Sequence, residues 1–163
     1  MKRASCACIG TAKVAGMVPS ASRPLARLLG RAAALLIVLG LFTGFLVAAA
    51  MTGKLDADPH AMLAAHLNAL LGAFWMLGVA WSLPRLRLEA PTLPCLVWLT
   101  IVPNFANWLI TAVKAFIRVA GVAASNDPKN NAIFGALTVL VVLPSLAGAS
   151  IWLWGFRGSD DPE

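Results

Sequence analysis

Four uncharged apolar runs constrain this chain more than any other feature. They cover residues 32–52, 61–83, 93–113 and 132–155. About twenty residues at 1.5 Å each cross roughly 30 Å of hydrocarbon. Lipid offers no partner to a backbone N–H or C=O, so each run must close its own hydrogen bonds as a helix. A transmembrane barrel needs strands of about ten residues with alternating polarity, and none is present. The expected fold is all-α, an integral membrane four-helix bundle. Composition agrees: 60% of residues are apolar and 12% charged, against about 45–50% and 25% in soluble domains.

The breaks between runs carry turn chemistry and charge. Gly53 to Pro59, Pro84 to Pro91 and Ser125 to Asn131 form the three loops, and Gly158 to Glu163 forms an acidic tail. The expected organisation is a basic segment over 1–31, the bundle over 32–157 and the tail over 158–163. Six of the thirteen Lys and Arg residues lie in the first 31 positions, where there is no acidic residue. A basic stretch placed before an apolar span reads as a topology determinant near anionic headgroups, not as a nucleic-acid arm. The same stretch is also compatible with a transit peptide or with a start at Met17. Counted over the stretches outside the runs, residues 1–31, 84–92 and 156–163 hold nine of the basic residues and residues 53–60 and 114–131 hold four. The positive-inside rule then puts both termini in the cytoplasm. Cys6, Cys8 and Cys95 make an odd set without metal-site spacing and read as incidental thiols.

The third run is the most informative. Thr100, Asn104, Asn107, Thr111 and Lys114 are spaced 4, 3, 4 and 3 apart, which places them on one helical stripe. Amides in a span need partners. The stripe serves either helix–helix hydrogen bonds or a polar pocket. In the second run His66 and Asn68 are two residues apart, about 200° around the helix, so they cannot form one local site. Asn68 shares a face with Ala64 and Gly72 and reads as part of a close-packing surface. His66 has three open roles: proton transfer, haem or metal ligation, or a plain hydrogen bond. His60, beside Pro59 in a loop, is expected to be solvated. Gly40 and Gly44 make a GxxxG packing pair. Trp152, Trp154 and Arg157 read as an interfacial anchor. Nucleophile, P-loop and dinucleotide motifs are absent.

Several segments resemble the hydroxylaminobenzene mutase family. They are Ala65-His66-Leu67, Gly72-Ala73-Phe74, Leu83-Pro84-Arg85-Leu86, Asn104-Phe105-Ala106-Asn107-Trp108-Leu109 and the ending Ile151-Trp152-Leu153-Trp154-Gly155-Phe156-Arg157-Gly158. The likeness runs over residues 35–158 and extends more distantly to styrene oxide isomerase, a trimeric four-helix membrane isomerase holding haem b. The mutase pattern has Glu where this chain has Asn68 and Asn where it has Gly72. Pro103 and Thr111 stand where the epoxide isomerase has Asp and Tyr. The resemblance implies rearrangement of a small apolar aromatic hydroxylamine or epoxide in a bacterial inner membrane. It implies haem b on His66, Asn104 and Asn107 holding the substrate heteroatom, and a homo-oligomer, expected as a trimer. The alternative is a non-catalytic membrane protein, a small-molecule carrier or an assembly subunit, which suits the absence of a carboxylate from the spans.

Overall fold

The structure, a computed structural model, describes residues 22–157. The tail over 158–163, Cys6, Cys8 and most of the basic N-terminal segment lie outside the described residues. Among the described residues four helices are long and apolar enough to cross a membrane: α1 (Ser22–Met51), α2 (Pro59–Ser82), α3 (Thr92–Ile117) and α4 (Pro128–Trp154). A 3₁₀ turn, Leu83–Arg85, prolongs α2. The all-α bundle is therefore present as expected.

α1 begins ten residues before its apolar run. Pro24 sits in the first turn, where its missing N–H costs nothing, and no breaker follows until Gly53 at φ 69°. Arg23, Arg27 and Arg31 therefore lie on the helix itself, exposed along one face at intervals of four. α2 and α4 share a start signal. Asp58 and Asp127 cap them, each followed by Pro at the first helical position. α3 closes with Arg118 in the left-handed region at φ 55°. Beyond it, Asn130 Oδ1 accepts from the Gly121 N–H at 2.7 Å, and Asn130 Nδ2 donates to Ala123 O at 2.7 Å. That one side chain organises the α3–α4 loop.

The core lies between α1, α2 and α3, with Leu29, Leu36, Met76, Val79, Leu96 and Val97 buried. Phe45 is 72% exposed and Trp81 70%, while Thr100 is 0% exposed and Thr111 4%. Lipid accepts large apolar side chains on the outside, and the hydroxyls and amides of the spans turn inward beside the apolar core. Among the described residues no buried side-chain N or O lacks a partner.

α4 is peripheral. Gly148 reaches α3 so closely that a Cβ there would lie 3.2 Å from both Leu99 Cβ and Leu99 O. Pro103, lacking an N–H, leaves Leu99 O without its usual helical donor, and α4 packs over that carbonyl. Near its end α4 touches α2, where Trp152 Nε1 donates to Ser82 Oγ at 2.8 Å. This corrects the reading of Trp152 as an interfacial anchor: its indole N–H is spent inside the bundle. Trp154 keeps that role, 57% exposed with the Arg157 guanidinium 3.5 Å from its ring centre, matched by Arg85 over Trp81 at 4.1 Å. The second loop and the end of α4 sit at one end, joined by Arg87 N–H to Gly155 O at 2.8 Å.

At the opposite end the Asp58 N–H donates to Ala115 O at 2.8 Å, tying the first loop to α3. The Asp58 carboxylate accepts from the Ala61 and His60 N–H groups. The Ala61 bond chiefly, and the His60 bond with it, hold this carboxyl below its ordinary 3.8 against partial desolvation. Its folded-state pKa is thus depressed. The stabilisation is full above the unfolded value and fades as pH falls through the folded one. Asp58→Ala is expected to lower stability by about 1 kcal/mol, read as a lower melting temperature in detergent at neutral pH. The difference from wild type should shrink below about pH 3.8.

Candidate functional site

The polar stripe of α3 faces inward. Thr100, Asn104 and Thr111 are buried, and Asn107 is half-buried. Lys114 departs from it: its Nζ donates to Ala120 O at 3.1 Å in the following loop. Asn104 Nδ2 donates to Thr100 O at 2.7 Å, one turn back, which leaves Asn104 Oδ1 as an open acceptor. Its position depends on Gly72 of α2. A Cβ on residue 72 would stand 2.5 Å from Asn104 Oδ1 and 3.1 Å from Asn104 Cβ. The carboxamide fills the space that any larger residue at 72 would take.

Asn68 joins this network, which corrects its reading as a packing residue. Asn68 Nδ2 lies 3.2 Å from Asn107 Oδ1 and 3.2 Å from Thr111 Oγ1. Thr111 Oγ1 in turn donates to Asn107 Oδ1 at 3.4 Å. Asn107 Oδ1 is thus saturated, and its Nδ2 remains a donor. Asn68 was legible by the rule that singled out Asn104: an amide in a span must be partnered. Its position about 200° from His66 aims it at whichever helix His66 does not meet.

These side chains border a cavity of about 260 Å³. Asn68, Leu71, Gly72 and Trp75 line it from α2, Pro103, Asn104 and Asn107 from α3, and Val141 and Ser145 from α4. Sequence reasoning missed Trp75 and Ser145. Among the described residues no Asp, Glu, Lys, Arg or His borders this cavity. Its polar equipment is three amides and a hydroxyl, set in apolar walls. Such a lining suits a small neutral aromatic with one polar group.

His66 stands on the other side of α2. Its Nδ1 lies 2.7 Å from Gly40 O of α1, and Gly44 is glycine because a Cβ there would be 3.2 Å from the ring. The GxxxG pair therefore both packs and seats the imidazole. A carbonyl can only accept, so Nδ1 carries a proton and donates; of the two neutral tautomers this contact selects the one whose lone pair is on Nε2. Nε2 makes no hydrogen bond among the described residues, and because no buried atom lacks a partner it is not sealed inside. Within one chain, then, His66 and the asparagine cavity are separate. On the same side Trp108 Nε1 donates to Thr43 Oγ1 at 3.0 Å, joining α3 to α1. His60 is exposed, as expected of a loop residue.

The fold and cavity define a four-helix integral membrane protein with an uncharged, amide-lined pocket inside the bundle. The family model for styrene oxide isomerase matches residues 25–157, and the chain belongs to that family. It is 28% identical over 148 residues to hydroxylaminobenzene mutase HabB of Ectopseudomonas oleovorans, covering 86% of this chain and 87% of that protein. No solved structure matches the chain. These findings bear out the kinship expected from the motifs and support an isomerase or mutase role.

Two substitutions test the site's construction. Gly72→Ala is expected to expel the Asn104 carboxamide and cost about 1–3 kcal/mol, seen as a lower melting temperature. Asn68→Leu removes the donor shared by Asn107 and Thr111 and should cost a similar amount. Leu67→Ala, an exposed neighbour on α2, should leave the melting temperature within a degree or two of wild type.

Proposed function

We propose that this protein rearranges a small apolar aromatic hydroxylamine or epoxide within the membrane, with both termini in the cytoplasm. The observation that carries the reading is the cavity's lining of three amides and one hydroxyl with no ionisable group. A neutral substrate partitions into lipid, reaches a cavity between helices and loses little solvation on entry. Asn107 Nδ2 is placed to donate to the substrate's oxygen and Asn104 Oδ1 to accept from an N–H or O–H. Leu71, Trp75, Pro103 and Val141 hold the ring and keep water from a cationic centre, which water would trap as a hydrolysis product.

A haem b cofactor is part of the proposal, and the donor chemistry of His66 fits it. One neutral imidazole, that of His66, would suffice to hold it. Nδ1–H, fixed on a backbone carbonyl, is the usual orienting contact of a ligating histidine and leaves Nε2 for the metal. When bound, haem supplies a Lewis-acidic iron that draws electron density from the reacting N–O or C–O oxygen. His66 and the cavity lie on opposite sides of α2. A homo-oligomer is the arrangement in which these two faces, from adjacent copies, address one ligand. That is the support for an oligomer, with a trimer as the expected number.

The test combines spectroscopy with product analysis. Protein produced with ample haem is expected to show a Soret band that His66→Ala abolishes while insertion and folding persist. Incubation with N-phenylhydroxylamine or styrene oxide should give an isomer of unchanged mass by chromatography and mass spectrometry. Asn107→Leu should reduce this turnover at least tenfold, about 1.4 kcal/mol of lost transition-state stabilisation. Wild-type protein that stays colourless in the presence of haem and converts neither compound would refute the isomerase reading and favour a carrier or assembly role.

A further inference from the structure

The cavity contains one polar group that no sequence motif marks. Ser145 lies in α4 just after an interruption of the helix. Pro144 has no N–H to give Leu140 O, and its ring crowds that carbonyl. The turn ahead of it, Thr138–Val142, is widened into a π-helix, with the Leu143 N–H reaching Thr138 O five residues back. Such turns re-aim side chains and recur at functional sites. Here Val141 and Ser145 are brought to the cavity together.

The Ser145 hydroxyl behaves unlike most others in the spans; Thr111 donates instead to Asn107 Oδ1, and Ser150, outside this cavity, also makes no hydrogen bond among the described residues. Thr43, Thr100, Thr138 and Ser82 each return their hydroxyl to a carbonyl of the preceding turn, at 2.8, 2.8, 2.8 and 3.0 Å. That is the ordinary resting place of a hydroxyl in a membrane helix. Ser145 makes no hydrogen bond among the described residues, although it lines a membrane-embedded cavity. A hydroxyl without a partner in an apolar medium forgoes the hydrogen bonds that it would make in water. The same cavity holds Asn107 Nδ2 as an open donor and Asn104 Oδ1 as an open acceptor, one N–H of the Asn104 amide being given to Thr100 O. A hydroxyl that can donate and accept, together with a pure acceptor, is completed by a ligand that itself donates a hydrogen bond.

We propose that Ser145 is a substrate-positioning residue that, with Asn104 Oδ1, holds the N–H or O–H of a neutral aromatic ligand and so selects hydrogen-bond donors over ethers and epoxides. The proposal rests on the placement of the substrate in this cavity and narrows its class. An epoxide oxygen accepts from Ser145 but leaves Asn104 Oδ1 bare, whereas a hydroxylamine satisfies both. A site built for a substrate N–H or O–H discriminates strongly against analogues without one, because its own groups are then left unpaired.

The experiment uses the full chain purified in detergent, as wild type, Ser145→Ala and Ser145→Thr, with equal melting temperatures as the control on folding. Equilibrium binding is measured by ligand-observed NMR for aniline, which donates, and anisole, which only accepts. Turnover is measured separately with N-phenylhydroxylamine. Wild type is expected to prefer aniline. Ser145→Ala should weaken aniline about tenfold, the loss of one hydrogen bond at about 1.4 kcal/mol, and leave anisole within about twofold. Ser145→Thr, which keeps the hydroxyl, should restore the preference. In turnover, Ser145→Ala should raise KM more than it lowers kcat, since the contact holds ground state and transition state alike. Aniline binding or KM unchanged in Ser145→Ala overturns the proposal, even if turnover is robust. Hydroxyl-dependent aniline binding without turnover upholds it and overturns the isomerase reading. Absence of both binding and turnover in the wild type overturns both.

Discussion

Inside the bilayer a polar side chain has no water to fall back on, and this one condition arranges the bundle. Several polar groups of the spans are spent on contacts between helices. His66 binds a carbonyl of α1, Asn68 binds Asn107 and Thr111 of α3, Trp108 binds Thr43 of α1, and Trp152 of α4 binds Ser82 of α2. Each bond is modest, about 0.6–2 kcal/mol in a membrane. Together they fix which helix faces which, something apolar contact alone does poorly when lipid tails are as apolar as leucine. The exposed Phe, Leu and Trp side chains carry no such information and face outward.

Glycine decides where these contacts can form. At Gly40 a Cβ would come within 2.9 Å of Ala69 Cβ, at Gly44 within 3.2 Å of the His66 ring, and at Gly72 within 2.5 Å of Asn104 Oδ1. The helices therefore approach through backbone, and the polar side chain opposite occupies the space gained. α2 uses this on both sides, meeting an imidazole's partner helix on one and an amide on the other. At Gly72 the space that a side chain would take is filled by the Asn104 carboxamide of α3.

Proline shapes the third partner. Pro103 frees Leu99 O on α3, and Gly148 lets α4 lie against it. Pro144 widens the preceding turn of α4. α4 is thus held at Gly148 and Trp152, and the cavity opens two to three turns before that second contact. The same irregular turn that leaves α4 loosely packed supplies the cavity with a valine wall and a hydroxyl.

Much of this was fixed by composition and period. Apolar runs of span length admit only helices in lipid, so the four-helix bundle follows from the sequence. The 4-3-4 spacing of Thr100, Asn104, Asn107 and Thr111 determined that they share a face, and the cost of a bare amide determined that the face turns inward. The 200° between His66 and Asn68 determined that they serve different neighbours. What the sequence could not decide was which neighbour. Asn68 reads alone as a small-residue packing position, Trp152 as an anchor and Ser145 as an ordinary helical serine. Each acquires its role from a group on another helix or from a widened turn: Asn107 for Asn68, Ser82 for Trp152, the π-turn before Pro144 for Ser145. Period tells which residues point the same way along one helix. Only the packing of helices, set by glycine contacts and cross-helix hydrogen bonds far apart in the chain, decides what they point at.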